Sequence, residues 1–268
     1  MRITKEKMCK YGIKDKINVN VGETNKSIYI EKLLSVFKTT EIGYITINNT
    51  EYIIKKEYNT DYIPALERIY RMLRITISEY GFYKKYERRI KEEGYKEHIQ
   101  VPYYYTKCKK YNIYIFSKLE YDLNSIYLKR IKEKGFKRIL KDTLGTVNYL
   151  NNNLGVYHND LHQDGKIRNI MIKNNKIVII DFGLYSDKLG IKNNNFYNIK
   201  SIKYIYNFKI RSELLIIFYT LLINYYKTDI DFLEIYKRIY KEGCTVNMFD
   251  KCLLKKYKEI IKGLTMKE

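Results

Sequence analysis

The stretch from Tyr157 to Gly183 constrains this chain more than any other. It runs Tyr157-His158-Asn159-Asp160-Leu161-His162, then Asn169-Ile170-Met171-Ile172, then Ile177-Val178-Ile179-Ile180-Asp181-Phe182-Gly183. The two β-branched runs, divided by the turn Lys173 to Lys176, read as strand, turn and strand. A helical apolar period from Phe136 to Leu154 precedes them and ends near Asn153 and Gly155. A polar loop with an H-x-D, an amide ahead of one short strand and a carboxylate after the next is a layout few folds share.

The remaining segments add a direction to the chain. From about Ile28 to Lys56 apolar residues come in short alternating groups, and Asn48-Asn49-Thr50 between two of them reads as a hairpin turn. Thr60 to Ile75 changes to helical spacing at Leu66, Ile69, Tyr70 and Leu73, with Pro64 in the first turn, where its missing N–H costs little. Tyr111 to Phe116 reads as a strand, and Glu213 to Tyr226, Asp231 to Tyr240 and Phe249 to Ile261 as helices. A β-rich first part followed by a mostly helical second part gives an α+β, two-lobe plan.

Composition narrows the setting. At 268 residues the chain can bury a sizeable core, and 45% hydrophobic content with 30 Tyr describes a packed protein. The net charge of +21 would attract nucleic acid, anionic membrane or acidic protein. The lysines are nonetheless dispersed in pairs such as Lys55-Lys56 and Lys255-Lys256, the pattern of a solvated surface. Cysteines at 9, 108, 244 and 252 form no C-x-x-C pair, so neither zinc nor a disulfide framework is expected. The N-terminus carries no signal-peptide apolar stretch, and the run Leu214 to Tyr226 is too short to span a bilayer. These features lead us to expect a soluble, intracellular protein.

The Tyr157–Gly183 segment resembles the protein kinase-like superfamily. His158-x-Asp160 stands where that family has its catalytic-loop H-x-D, and Asp181-Phe182-Gly183 is a full D-F-G at a strand end. The resemblance extends over about Leu33 to Tyr226. It implies a bilobal fold in a single domain, with a β-rich N-lobe and hinge over about 28–119 and a helical C-lobe over 120–268. It implies ATP and Mg²⁺, with Asp160 as catalytic base and Asp181 and Asn169 as metal ligands, oxygen donors that suit a hard cation.

The same resemblance implies partners upstream. Tyr52-Ile53-Ile54-Lys55 is similar to the V-A-I-K strand, so Lys55 would contact the α- and β-phosphates and pair with Glu67, twelve residues on. Glu67 also stands four residues before Arg71, the spacing of a surface pair, but it borders the apolar face of Leu66 and Tyr70, which favours the pairing with Lys55. Gly43 matches the third glycine of the Gly-rich loop and Ile45 the apolar residue that covers adenine, while Lys38 and Thr40 replace the first two glycines. Phe116 stands at the gatekeeper place, and Ser117 to Leu119 would offer hinge backbone to adenine. Ser212-Glu213 resembles the acidic start of the central C-lobe helix; a plain N-terminal cap explains it equally well.

Four departures shape the functional expectation. Asp160 and Asn169 are nine positions apart, against five in the family, because of a four-residue extension containing Gln163-Asp164-Gly165-Lys166; Asp164 is an alternative metal ligand. Asn159 replaces the arginine of H-R-D, and no A-P-E follows the D-F-G. His162 occupies the place where serine/threonine kinases usually have lysine. The leading expectation is a divergent serine/threonine protein kinase, similar to those of large DNA viruses, acting on a protein hydroxyl in host cytoplasm or virion. The alternatives are a small-molecule kinase of the aminoglycoside or choline type, and a pseudokinase or basic nucleic-acid-binding scaffold.

Overall fold

The computed structural model describes residues 17–21, 24–28, 30–36, 40–47, 49–58, 79–163, 165–187, 212–226, 235 and 249–265. The chain divides into two compact units, Met1–Lys96 with Gln100–Leu119, and Glu97–Ile99 with Glu120–Glu268.

The first unit is built on antiparallel strands. A hairpin pairs β1 (Ile17–Val21) with β2 (Thr24–Ile28). A five-stranded sheet then joins β3 (Ile30–Val36), β4 (Thr40–Ile47), β5 (Thr50–Tyr58), β6 (Tyr104–Lys107) and β7 (Tyr111–Ser117) in the order β3-β4-β5-β7-β6. The expected turn between β4 and β5 is present, with Asn49 at φ 60°, a left-handed conformation that asparagine tolerates. Strand alternation sorts side chains to two faces. Ile45, Ile47, Ile54, Ile113 and Ile115 form one apolar cluster, flanked by Tyr52, Tyr104 and Tyr111.

Helix α1 (Glu79–Glu92) packs its apolar stripe of Phe82, Tyr83, Tyr86 and Ile90 inward. The Tyr83 ring meets Tyr105, Tyr114 and Phe116 with centroids 6.0, 6.0 and 5.9 Å away. Ring contacts of this kind contribute about 0.5–1.5 kcal/mol each beyond area burial.

The second unit is mostly helical: α2 (Ser125–Arg130), α3 (Glu133–Asn148), α4 (Glu213–Tyr226) and α5 (Phe249–Thr265). The period read over Phe136 to Leu154 resolves into α3 followed by one π turn at Tyr149–Asn153. Every residue from Glu213 to Leu222 of α4 is buried, so this helix is the core of the unit. It is locked to α3 by Phe136 stacked on Tyr225, ring centroids 3.8 Å apart and planes within 2°.

Strands β8 (Tyr121–Asp122), β11 (Ile170–Lys173) and β12 (Lys176–Ile179) make a three-stranded sheet ordered β12-β11-β8, and β9 (His162–Gln163) pairs with β10 (Lys166–Ile167). The architecture is therefore α+β, an antiparallel sheet region followed by helices.

The helix expected over Thr60 to Ile75 lies outside the described residues, as does nearly all of Asp231 to Tyr240. Among the described residues no helix is long and apolar enough to cross a membrane. One expectation is corrected: Cys108 and Cys252 are both in disulfides. Spacing along the chain reveals local pairs such as C-x-x-C, and it is silent on cysteines brought together by folding.

Candidate functional site

In the second unit the π turn delivers the chain to Gly155, at φ 66°, and then into the His158 loop. Tyr157 and Ser186 exchange backbone hydrogen bonds of 2.8 and 3.0 Å, so the loop and the segment after Asp181 run side by side. His158 is fully buried and packs against the Phe182 ring, centroids 4.8 Å apart and planes tilted by 57°. Its Nε2 lies 2.8 Å from the Ile180 carbonyl, and the Asp160 N–H points at Nδ1 from 3.3 Å. A carbonyl can only accept and an N–H only donate, so the ring is held as the Nε2–H tautomer. One imidazole thereby joins the residue before Asp181 to Asp160.

The β11–β12 hairpin makes the second connection. Its ladder begins at Ile170 opposite Ile179, and the Ile180 N–H donates to the Asn169 carbonyl at 2.9 Å. Asn169 and Asp181 therefore flank the same end of one ladder. The Asn169 side-chain N–H donates to the Asp160 carboxylate at 2.9 Å and to the Asp160 carbonyl at 2.8 Å. Asn159, Asn169 and Asp181 all sit at positive φ, 65°, 54° and 61°. Three non-glycine residues in that region within one site store backbone strain, which clusters at functional positions.

The extension between Asp160 and Asn169 is absorbed by the β9–β10 hairpin. Gln163 pairs with Lys166 and His162 with Ile167, while the Arg168 N–H donates to the Leu161 carbonyl at 2.9 Å. Gly165 turns at φ 73°, and its carbonyl accepts from the Asn224 side chain of α4 at 2.7 Å. The extra residues bulge out and return the chain, which is why Asn169 still reaches Asp160. Asp164, the alternative ligand, lies outside the described residues. Burial pushes the His162 imidazole down to about 4 and keeps it neutral. The guanidinium of half-exposed Arg168 lies 3.9 Å from the Asp160 carboxylate.

Beneath the loop sits Glu213, the first residue of α4. Its carboxylate accepts from the backbone N–H of Asn159 at 2.7 Å and of His158 at 3.1 Å. With its amide oriented to donate, Asn151 reaches the same carboxylate at 3.1 Å. Burial raises the Glu213 carboxyl to about 7, outweighing the N–H bonds that favour its ionised form. Ser212 caps the helix through the Leu215 N–H at 3.0 Å. The Asn159 amide donates to the Leu184 carbonyl at 3.2 Å and to the Ser186 hydroxyl at 3.3 Å, so it bridges the loop to the segment after the D-F-G.

In the first unit, Lys55 of β5 is buried, and its ammonium pairs with Glu79 of α1 at 2.7 Å. The other Glu79 oxygen accepts from the Tyr83 hydroxyl at 2.8 Å. Glu67, the partner expected for Lys55, lies outside the described residues. Glu79 was missed because helix α1 was not read. Its signal is Glu79 at i−4 to Tyr83 with Tyr86 and Ile90 continuing the stripe, blurred by tyrosines spread along the whole chain.

A second acid accompanies the pair. Glu57, two residues along β5 and on the same face as Lys55, accepts from the Tyr114 hydroxyl at 2.6 Å and the Asn112 amide at 3.2 Å. Burial raises it to about 7, opposed by the charge of Lys55.

Register decides what else shares the Lys55 face. Directly opposed residues of paired strands lie on one side of the sheet. Lys55 is opposite Ile42, and Ile53 opposite Tyr44, so Ile42 and Tyr44 are on that face, with Thr40 and Thr46 beyond them. Ile45 pairs with Tyr52 on the other face and is 1% exposed within the isoleucine cluster. The adenine-covering role expected of Ile45 is thus corrected; Tyr44 holds the place on the Lys55 face. Gly43 lies within β4, opposite Ile54. Phe116 is buried, the Ser117 carbonyl accepts from the Gln100 amide at 3.3 Å, and Leu119 is buried at the end of the unit.

No protein-family model matches this chain, and no curated protein is similar to it. The chemistry of the site is read from its own residues. Among the described residues no three His, Cys, Asp or Glu side chains cluster to hold a metal unaided. The Asp181 carboxylate with the Asn169 amide oxygen is a hard-oxygen donor set of the kind that holds Mg²⁺ when substrate phosphates complete the shell. The Asn169 nitrogen is turned to Asp160, which leaves its oxygen as the ligand atom.

Proposed function

We propose that this chain is an ATP- and Mg²⁺-dependent phosphotransferase with a bilobal, protein kinase-like fold, acting on a protein serine or threonine hydroxyl. The observation that carries the reading is the linkage of His158, Asp160, Asn169 and Ile180 at the foot of Asp181, preserved despite the four-residue extension. A buried lysine–carboxylate pair in the first unit supports it.

Phosphoryl transfer asks a protein mainly to position groups and to neutralise charge. Asp160, oriented by Asn169, accepts the hydroxyl proton as the acceptor oxygen attacks the γ-phosphorus and the bond from that phosphorus to the β–γ bridging oxygen breaks, releasing ADP. Lys55, aligned by Glu79, binds the α- and β-phosphates as a point charge. Asp181 and Asn169 would hold Mg²⁺, which supplies positive charge to the phosphates when bound. Asp160 hands the proton on to solvent after transfer.

The test is transfer of labelled γ-phosphate from ATP to casein or a basic protein, with wild type beside Asp160→Ala and Asp181→Ala. Labelled protein with wild type and none with either variant is the expected result. Turnover with an amino sugar or small alcohol and no protein label would move the acceptor to the small-molecule class. Variants as active as wild type would remove the mechanism.

A further inference from the structure

Away from the Asp160 loop, α3 and α5 of the second unit enclose a groove of about 530 Å³ lined by Lys137, Arg138, Lys141, Tyr257, Lys258, Ile261 and Lys262. Of the seven described residues that line it, five are cations and none is an acid. The helices do carry acids, Glu133 and Asp142 on α3 and Asp250 and Glu259 on α5, yet all four lie outside the lining. Two of them nonetheless lie close by, Glu133 paired with Lys137 and Asp142 near enough to act on Tyr257, so the cations outnumber the acids around the groove without excluding them.

Helical spacing explains the convergence. Lys137 and Lys141 are four apart on α3, as are Lys258 and Lys262 on α5, so each pair stands on one face. Tyr257 and Ile261 share the same spacing and form a buried floor between the two rows. Lys137 is paired with Glu133 at 2.5 Å. Arg138, Lys141 and Lys258 are exposed and face no carboxylate partner among the described residues. Like charges gathered around a concavity repel one another and concentrate counter-anions there.

We propose that this groove is a binding site for a small polyphosphorylated anion, distinct from the Asp160 site. Its volume lies in the range of small-ligand pockets, which are apolar at the base with a few placed polar groups. Several ammonium groups and one guanidinium match phosphate esters, the guanidinium offering paired donors. The buried floor accommodates the carbon ring of such a ligand. A nucleic-acid duplex, by contrast, is met by a broad convex or extended surface and carries its charge as a line.

The probe is inositol hexakisphosphate, titrated calorimetrically into the full chain at 150 mM salt without Mg²⁺. The expected result is saturable one-site binding that weakens at least tenfold in Arg138→Glu/Lys141→Glu/Lys258→Glu. The control Lys84→Glu/Lys110→Glu/Lys129→Glu makes the same change in net charge at exposed sites elsewhere and is expected to keep wild-type affinity. Circular dichroism reads the fold of both triple variants, and single reversals replace the triple if it fails to fold. Absence of saturable binding, or equal loss in both triple variants, would overturn the site. So would displacement of the probe by a DNA duplex at equal phosphate concentration, which would assign the groove to nucleic acid.

Discussion

At the scale of single residues, the site works by holding ordinary groups in narrow orientations. The Asn169 amide holds Asp160 at its carboxylate and its carbonyl, and His158 ties the Asp160 N–H to the Ile180 carbonyl before Asp181. Asp160→Asn keeps the shape and removes the carboxylate proposed as base. We expect kcat to fall by about 10²–10⁴ with ATP affinity unchanged, read by steady-state kinetics and nucleotide titration. Glu79→Gln leaves the Lys55 ammonium without its carboxylate partner, and KM for ATP is expected to rise at least tenfold. An unchanged KM would remove Glu79 from the site. These residues divide sharply in legibility. His158, Asp160 and Asp181 are short-range signals, readable because H-x-D and D-F-G are local. Glu79 is 24 residues from Lys55, and nothing local links the two.

At the scale of elements, the β9–β10 hairpin and the β4 register matter most. The hairpin keeps a nine-residue spacing compatible with an Asn169–Asp160 hydrogen bond, and the Asn224 amide anchors its turn. Asn224→Ala is expected to cost about 1 kcal/mol in urea unfolding. It should leave activity reduced and not abolished, since Asn169 is also tied through Ile180. A full loss of activity would show that the anchor positions the loop. The Ile45 expectation failed for a different reason. Matching a glycine motif along the chain is good to about one residue, and in a strand one residue exchanges the two faces. Only the pairing of Lys55 with Ile42 determined that Tyr44 faces the lysine side.

At the scale of the molecule, each unit buries a carboxyl of raised pKa: Glu57 in the first and Glu213 in the second, both near 7. Their folded values exceed the usual carboxylate range, so the native state prefers the protonated form. The associated stability is full below the unfolded carboxyl pKa of about 4.5 and is lost as pH rises through 7. His162 acts in the opposite sense, since its lowered pKa removes stability as pH falls from 6.5 to 4. Above pH 6.5 the carboxyl loss outweighs the last of the His162 recovery, and wild type is expected to lose about 1–2 kcal/mol between pH 6.5 and 8. Urea unfolding across that range measures it. Glu57→Gln/Glu213→Gln should flatten the slope, and an equal slope in the double variant would contradict the assignment.

By itself the sequence determined the order of β-rich and helical parts, the β4–β5 turn, the β11–β12 hairpin, α4 and the H-x-D and D-F-G residues. Each is set by neighbours within about one turn or one hairpin, where propensity and alternation act directly. Tertiary structure alone decided that Glu79 reaches Lys55, that Glu213 supports the His158 loop across 54 residues, that the hairpin extension returns Asn169 to Asp160, and that Cys108 and Cys252 enter disulfides. Those pairings depend on packing between elements distant in the chain, and the spacing of residues carries no record of it.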